Sequence, residues 1–389
     1  MITARHLVLA VIASALATAP AAAQAPARAQ APAPAQTALK PLDHDAYDIW
    51  NRIAESTLSD DGGWVVYATQ NERDGSLLHA RSLANEAVHR VERAEDSRIS
   101  EDSRWVVALI KPMESALEQA RIEKAKQQPQ DSLAILDLST GAVVRVARVK
   151  SFELPEAAAG WVAYLHGEPA AESDTVRADS AAAMPEPHPV TGNVPPTVPG
   201  GVAPEAEQDT AGTPVHDKDE GTLLVLRNLA TGVEQRFADV VWYDFSKNGR
   251  RLVYAASNED GSADGVYVVD VASGSATPVM TGEGHYRQVA IDEAGEQIAF
   301  VSDHDDFAAD QPAYTLYHWQ AGEDVRPIAA TGNRALPADW WVSEHGEVRF
   351  SHDGTRIFFG TAPRPAPADD DEKVDPDDVV KVDVWNWQD

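Results

Sequence analysis

From residue 58 onward the chain repeats one alternation of polar and apolar positions. An apolar residue leads into a short polar turn that usually holds Ser, Asp and Gly, and a run of Val, Ile, Tyr or Phe follows. The copies read LSDDGGWVVYAT from Leu58, ISEDSRWVVALI from Ile99, FSKNGRRLVYAA from Phe245, IDEAGEQIAFVS from Ile291 and FSHDGTRIFFGT from Phe350. A degenerate copy is LPEAAAGWVAYLHG from Leu154. Ser and Asp side chains accept backbone N–H groups a few residues on, and Gly takes the positive φ of a tight reversal. The β-branched and aromatic run after each turn predicts a strand.

A second unit follows most of these strands. SLAILDLSTGAVVRV from Ser132, TLLVLRNLATGVEQRF from Thr222, DGVYVVDVASGSATPV from Asp264 and the weaker YTLYHWQAGEDVRPI from Tyr314 each pair an apolar strand with a second strand across a Gly-containing turn. That is a β-hairpin pattern. The copies begin near Ser59, Ser100, Pro155, Ser246, Asp292 and Ser351, and the undisturbed spacings match the roughly 40–50 residues of one propeller blade. The fold class expected is all-β, a β-propeller of four-stranded antiparallel blades, because radial sheets bury both faces against their neighbours. About five and a half blades are expected over residues 41–389, an incomplete ring.

Two interruptions change the spacing. ESALEQARIEKAKQQ, residues 114–128, predicts an exposed helix inside the second repeat, and residues 168–220, rich in Pro, Ala, Asp and Glu, predict a disordered acidic insertion in the third. Trp64, Trp105 and Trp161 stand at the start of apolar runs, where large contacts between blades are expected.

The N-terminus adds a destination. Arg5, an apolar stretch from Leu7 to Ala17 and the small residues Ala21 to Ala23 read as a signal peptide over residues 1–23, too short to span a bilayer. An Ala/Pro/Gln-rich leader follows over residues 24–40. Export to the periplasm or medium is therefore expected, with no membrane span after cleavage. A net charge of −30 with 389 residues argues against nucleic-acid binding, and zero cysteines exclude disulfides, thiolate metal sites and a cysteine nucleophile.

Candidate chemistry is sparse. Ser351, His352 and Asp353 suggest a hydrolase triad, but the histidine column of the repeat holds Asp60, Glu101, Lys247 and Glu293 elsewhere, and three consecutive residues do not converge on one reacting atom. No G-x-S-x-G elbow occurs; the nearest string, GSADG at Gly261, has its serine one place early and falls in a hairpin turn. The acidic runs Asp303–Asp310 and Asp369–Asp378 lack the calcium-loop spacing and read as solvated loops, and His44 has no second histidine at zinc-binding spacing. Phosphate-loop and dinucleotide signatures are missing as well. No catalytic, metal-binding or cofactor-binding residue is therefore expected, and no cofactor.

Together, LDHDAYDIWNRIAESTLSDDGGWVVY from Leu42, the Ser-Asp-Gly repeats, the lysine-bearing helical insertion before DSLAILDLSTG and the closing DDVVKVDVWNWQD resemble the N-terminal propeller of bacterial exported prolyl oligopeptidase-family (S9) serine peptidases. The resemblance covers nearly all of the chain after residue 40. It implies a propeller that gates and selects peptide substrates for an α/β-hydrolase domain carrying the nucleophile. The chain departs from that pattern in lacking the nucleophile elbow, so none of the family's catalytic residues maps onto it. A fragment inactive on its own is expected, since VVKVDVWNWQD alternates as a strand and stops before its hairpin partner. The other reading is a stand-alone periplasmic propeller with TolB-like, WD40-like repeats that binds a protein or peptide without catalysis.

Overall fold

A strand with sheets on both sides buries both sets of its alternating side chains, and the apolar runs of this chain are used in that way. The computed structural model describes residues 50–71, 75–168, 218–334 and 336–364. The expected signal peptide and leader, His44, Asp369–Asp378, the closing strand and most of the 168–220 insertion lie outside them.

The first blade is β1 (Arg52–Leu58), β2 (Trp64–Asn71), β3 (Gly75–Ser82) and β4 (Val88–Glu92), and the second is β5 (Ala94–Ile99), β6 (Trp105–Ile110), β7 (Ser132–Asp137) and β8 (Val143–Ala147). The third comprises β9 (Val149–Glu153), β10 (Trp161–His166), β11 (Thr222–Asn228) and the first half of β12 (Glu234–Phe245). The second half of β12 opens the fourth blade, with β13 (Arg251–Ala256), β14 (Gly265–Asp270) and β15 (Ser275–Thr281). Strands β16 (Tyr286–Ile291), β17 (Gln297–Ser302), β18 (Thr315–Gln320) and β19 (Arg326–Ala329) form the fifth. A partial sixth pairs β20 (Trp340–Val342) with β23 (Thr361–Pro363) and β21 (Arg349–Phe350) with β22 (Ile357–Phe358). All pairings are antiparallel, and each of the first five blades runs in sequence order. The expected hairpins fall on β7–β8, β11–β12, β14–β15 and β18–β19.

Five apolar clusters hold the blades together, one at each junction. In β6, Val106, Ala108 and Ile110 face the first blade, whereas Trp105, Val107 and Leu109 face the third. Strand β13 divides likewise, Leu252 and Tyr254 on one side, Val253 and Ala255 on the other. In β17, Ile298 and Phe300 pack on the fourth blade and Ala299 and Val301 on the sixth. Each such burial contributes about 1.5–3 kcal/mol for a full-sized apolar side chain. Trp64, Trp105 and Trp161 pack on the first, second and third clusters respectively.

The recurrent turn has one geometry. Ser59, Ser100, Ser246 and Ser351 each accept, through Oγ, the N–H of the residue five positions on, at 2.9, 3.0, 3.0 and 3.0 Å, and Asp292 Oδ1 does the same for Gln297 at 3.0 Å. A reverse-turn bond then closes three residues on, to Gly62, Ser103, Gly249, Gly295 and Gly354, and all five have positive φ. Successive turns also touch: Asn248 Nδ2 donates to Ala294 O at 2.7 Å and Gln297 Nε2 to Gly354 O at 3.0 Å.

Passage from one blade to the next uses a device the sequence does not advertise. Arg93, Arg148, Asp239 and Asp339 adopt left-handed φ of 58°, 57°, 59° and 63° at the entry to the first strand of the following blade. The carbonyl of each accepts an N–H from the far end of that blade's second strand, from Lys111, Gly167, Ser257 and Arg364, at 2.8–2.9 Å. A non-glycine residue in this region costs about 1–2 kcal/mol, which the paired carbonyl helps to offset.

The insertion helix differs in length from its expectation. Helix α1 covers Glu114–Ile122, not residues 114–128, because Lys124 turns left-handed at φ 49° just past the Glu123 C-cap. Only Ala120 is buried on it, so nothing anchors a longer helix.

Candidate functional site

First strands of successive blades lie side by side, as the contacts of β1 with β5, β12 with β16 and β16 with β21 record. They therefore form the inner face of the open blade array, the face that walls a central channel in a closed ring, and their irregularities decide what lies on it. Register shifts interrupt β1 at Ile53/Glu55, β5 at Glu95/Arg98, β12 at Val240/Trp242 and β16 at Arg287/Ala290. Each shift re-aims side chains relative to strict alternation.

Three charged groups meet on the wall. Arg98 on β5 donates through Nη1 to Glu153 Oε2 on β9 at 2.7 Å. Burial raises the Glu153 carboxyl above its ordinary range, and Arg98 opposes that rise. On β12, Tyr243 and Phe245 go into the junction with the third blade, which leaves Trp242 and Asp244 on the other side. Asp244 is open to the channel yet hemmed in by its walls, and its carboxyl is pushed up to about 6, first by desolvation and then by the nearby charge of Glu153. Among the described residues its hydrogen-bond partner is the N–H of Phe245, at 2.7 Å. Glu55 on β1 accepts the backbone N–H groups of Asp96 and Ser97 at 3.1 and 3.2 Å, tying the first two blades together across the channel wall.

Trp242 and Asp244 border a cavity of about 670 Å³ whose floor is β16 from Gln288 to Ile291 and whose far wall is the sixth blade from Glu347 to His352. Its lining combines an indole face, the carboxyl groups of Asp244, Asp292, Glu293 and Glu347, the basic Arg349 and His352, and the edge strand β16.

The residues weighed as a triad do not converge. Ser351 Oγ donates to Asp353 Oδ1 at 2.6 Å within its own turn, and Asp353, which also accepts from Thr355, is held down to about 2. His352 turns away to Glu293 of the neighbouring turn. There it ends a ladder of the same turn position in four blades, Glu156, Lys247, Glu293 and His352, with Lys247 Nζ 3.8 and 3.6 Å from the flanking glutamates.

Asp303–Asp310 is the solvated loop expected at the exposed Asp305, Asp306 and Asp310, but not at Asp303. Asp303 is buried and accepts both the N–H and, at 2.7 Å, the Nδ1 of His285, while Asp305 accepts the Tyr317 hydroxyl at 2.6 Å and Asp306 the N–H of Ala313 at 2.9 Å. The carboxylates are spent on folding the loop onto the fifth blade. Likewise the aspartate of GSADG, Asp264, is fully buried and pairs with Lys218 at 2.9 Å. Among the described residues no group of three or more His, Cys, Asp or Glu is placed to hold a metal ion, and no helix is long and apolar enough to cross a membrane.

Comparison with known proteins returns likenesses of fold. The propeller domain of the Trilobed protease from Pyrococcus furiosus is 12% identical, with a TM-score of 0.38 over 81% of this chain and 80% of that one. Pyrococcus horikoshii acylaminoacyl peptidase is 11% identical, TM-score 0.37, over 81% of this chain. The match spans 44% of the acylaminoacyl peptidase, less than half its length. A putative TolB from Agrobacterium tumefaciens is 14% identical, TM-score 0.30, over 72% of this chain and 82% of that one. No protein-family model matches, and no curated protein does.

Proposed function

We propose that this chain is the peptide-admitting propeller of an exported prolyl oligopeptidase-family serine peptidase, whose acyl-transfer chemistry resides in a separate α/β-hydrolase domain. The observation that carries the proposal is the channel: inner strands side by side, with Arg98, Glu153, Asp244 and Trp242 on its wall. A propeller channel admits an extended chain and excludes a folded one, so it selects substrates by size before any bond is broken. The sequence resemblance at Leu42–Tyr67 and in the repeats points the same way, as does the expected signal peptide over residues 1–23.

Fluorescence anisotropy with short unstructured peptides tests this reading. Saturable binding that a folded protein does not compete away is the expected result. Absence of peptide binding would refute it. A fluorophosphonate probe should leave the chain unlabelled, and labelling would place the nucleophile here after all. Sequencing the N-terminus of secreted protein checks cleavage after Ala23.

A further inference from the structure

The geometry points to a binding site for an organic cation, the guanidinium or alkylammonium of a peptide side chain, between Trp242 and Asp244 at the cavity on the fourth and fifth inner strands. This rests on the peptide-admitting reading above and names what that channel selects.

Two residues apart on one strand, Trp242 and Asp244 project to the same side, since Tyr243 and Phe245 between and beyond them are buried in the opposite junction. An indole face beside a carboxylate is the pairing that attracts a cation most strongly, the ring by its quadrupole and the acid by its charge. Trp242 is 37% exposed although it lies on an inner strand, so its ring is not used up in packing. Among the described residues no basic side chain bonds to Asp244: Arg98, whose charge reaches it, is bound to Glu153. The other cations near the cavity are also committed. Arg349, which also lines the cavity, leans over the ring of Phe358 at 5.0 Å. His352 and Lys247 belong to the turn ladder with Glu293. The cavity thus presents an aromatic face and more carboxylates, on Asp244, Asp292, Glu293 and Glu347, than basic groups, on Arg349 and His352.

The experiment uses the full chain after residue 23 and capped, labelled decapeptides identical except at one central position, which is Arg, Lys, citrulline or norleucine. A fifth peptide has norleucine there and a free α-amine. Arg and Lys peptides should bind about tenfold more tightly than citrulline and norleucine ones, the scale of one partly desolvated charge and cation–π contact. Asp244→Asn should erase that preference, so that Arg and Lys peptides bind no more tightly than the norleucine peptide, and Asp244→Glu should retain it. Trp242→Leu should reduce it. Equal binding of Arg and citrulline peptides, or a preference that survives Asp244→Asn, overturns the inference while leaving the peptide-admitting channel standing. Failure of all the peptides to bind overturns both. Preference for the free α-amine over the basic side chains overturns the assignment to a side chain. Circular dichroism of each variant identifies one that has not folded, and Asp244→Glu then decides.

Discussion

The ammonium of Lys218 lies 2.9 Å from the carboxylate of Asp264, and the side chains are only 9% and 0% exposed. Asp264 also accepts the N–H groups of Asn258 and Gly284 at 3.0 and 3.2 Å, so the pair ties the chain re-entering the third blade to the loops that flank β14 and β16. Removing one partner of a buried ion pair leaves an uncompensated charge, at a cost of about 3–5 kcal/mol. Lys218→Met should therefore lower the unfolding free energy by about that much in a urea titration, and adding Asp264→Leu should return part of the loss. If Lys218→Met costs under about 1 kcal/mol, the pair is not the clamp described.

Gly62 and Gly249 occupy the same turn position with φ of 68° and 65°, yet they differ in surroundings. A Cβ on Gly62 meets nothing within 4 Å, while one on Gly249 would stand 2.5 Å from Ala158 Cβ and 2.8 Å from Pro155 Cβ. Gly62→Ala should cost about 1 kcal/mol of backbone strain. Gly249→Ala should cost about 1–3 kcal/mol more, because two blades must part to make room. Thermal denaturation of the two variants checks the order.

Ser246 is fully buried and Ser351 is not, although both hold the same turn. Ser246→Ala removes the acceptor for Arg251 N–H and the donor to Asn248 Oδ1, an expected loss of about 1–3 kcal/mol where no water can substitute. Ser351→Ala should cost less than about 1 kcal/mol, since solvent reaches its partners. Chemical denaturation would contradict this account by ranking the two the other way.

The Asp244 carboxyl, at about 6 in the fold, lies above the ordinary 3.8. A folded-state value raised in this way means that the native protein holds the proton more tightly than the unfolded chain. The resulting stability is fully present below pH 3.8 and is lost as pH rises through 6. Wild type should thus lose stability relative to Asp244→Asn over that window, by less than the shift alone implies because the carboxyl is open to water. Carboxyl carbon chemical shifts should give a midpoint about 6 for this residue.

Repetition made much of the architecture readable. The turn residues recur because one hydrogen-bond geometry needs them, and alternation in β6, β13 and β17 follows from two-sided burial. What governs the channel was not readable. Register shifts in β1, β5, β12 and β16 break the period that a sequence reading follows, so Trp242 and Asp244 look like any strand residues. Lys218 and Asp264 pair across 46 positions, and Asp303 sits in an acidic run whose composition suggests solvent. Nor do Arg93, Arg148, Asp239 and Asp339 carry a common side chain to betray their common backbone.

That shared corner has a mechanical corollary. In three of the four places the hydrogen-bonded ladder breaks at the corner, but at Asp239 strand β12 continues through it, with a register shift on each side, making a single seven-stranded sheet of the third and fourth blades. These two blades are consequently joined by a common strand as well as by side-chain packing. Trp242 and Asp244 lie on that common strand, so a displacement of either blade is passed directly to both side chains.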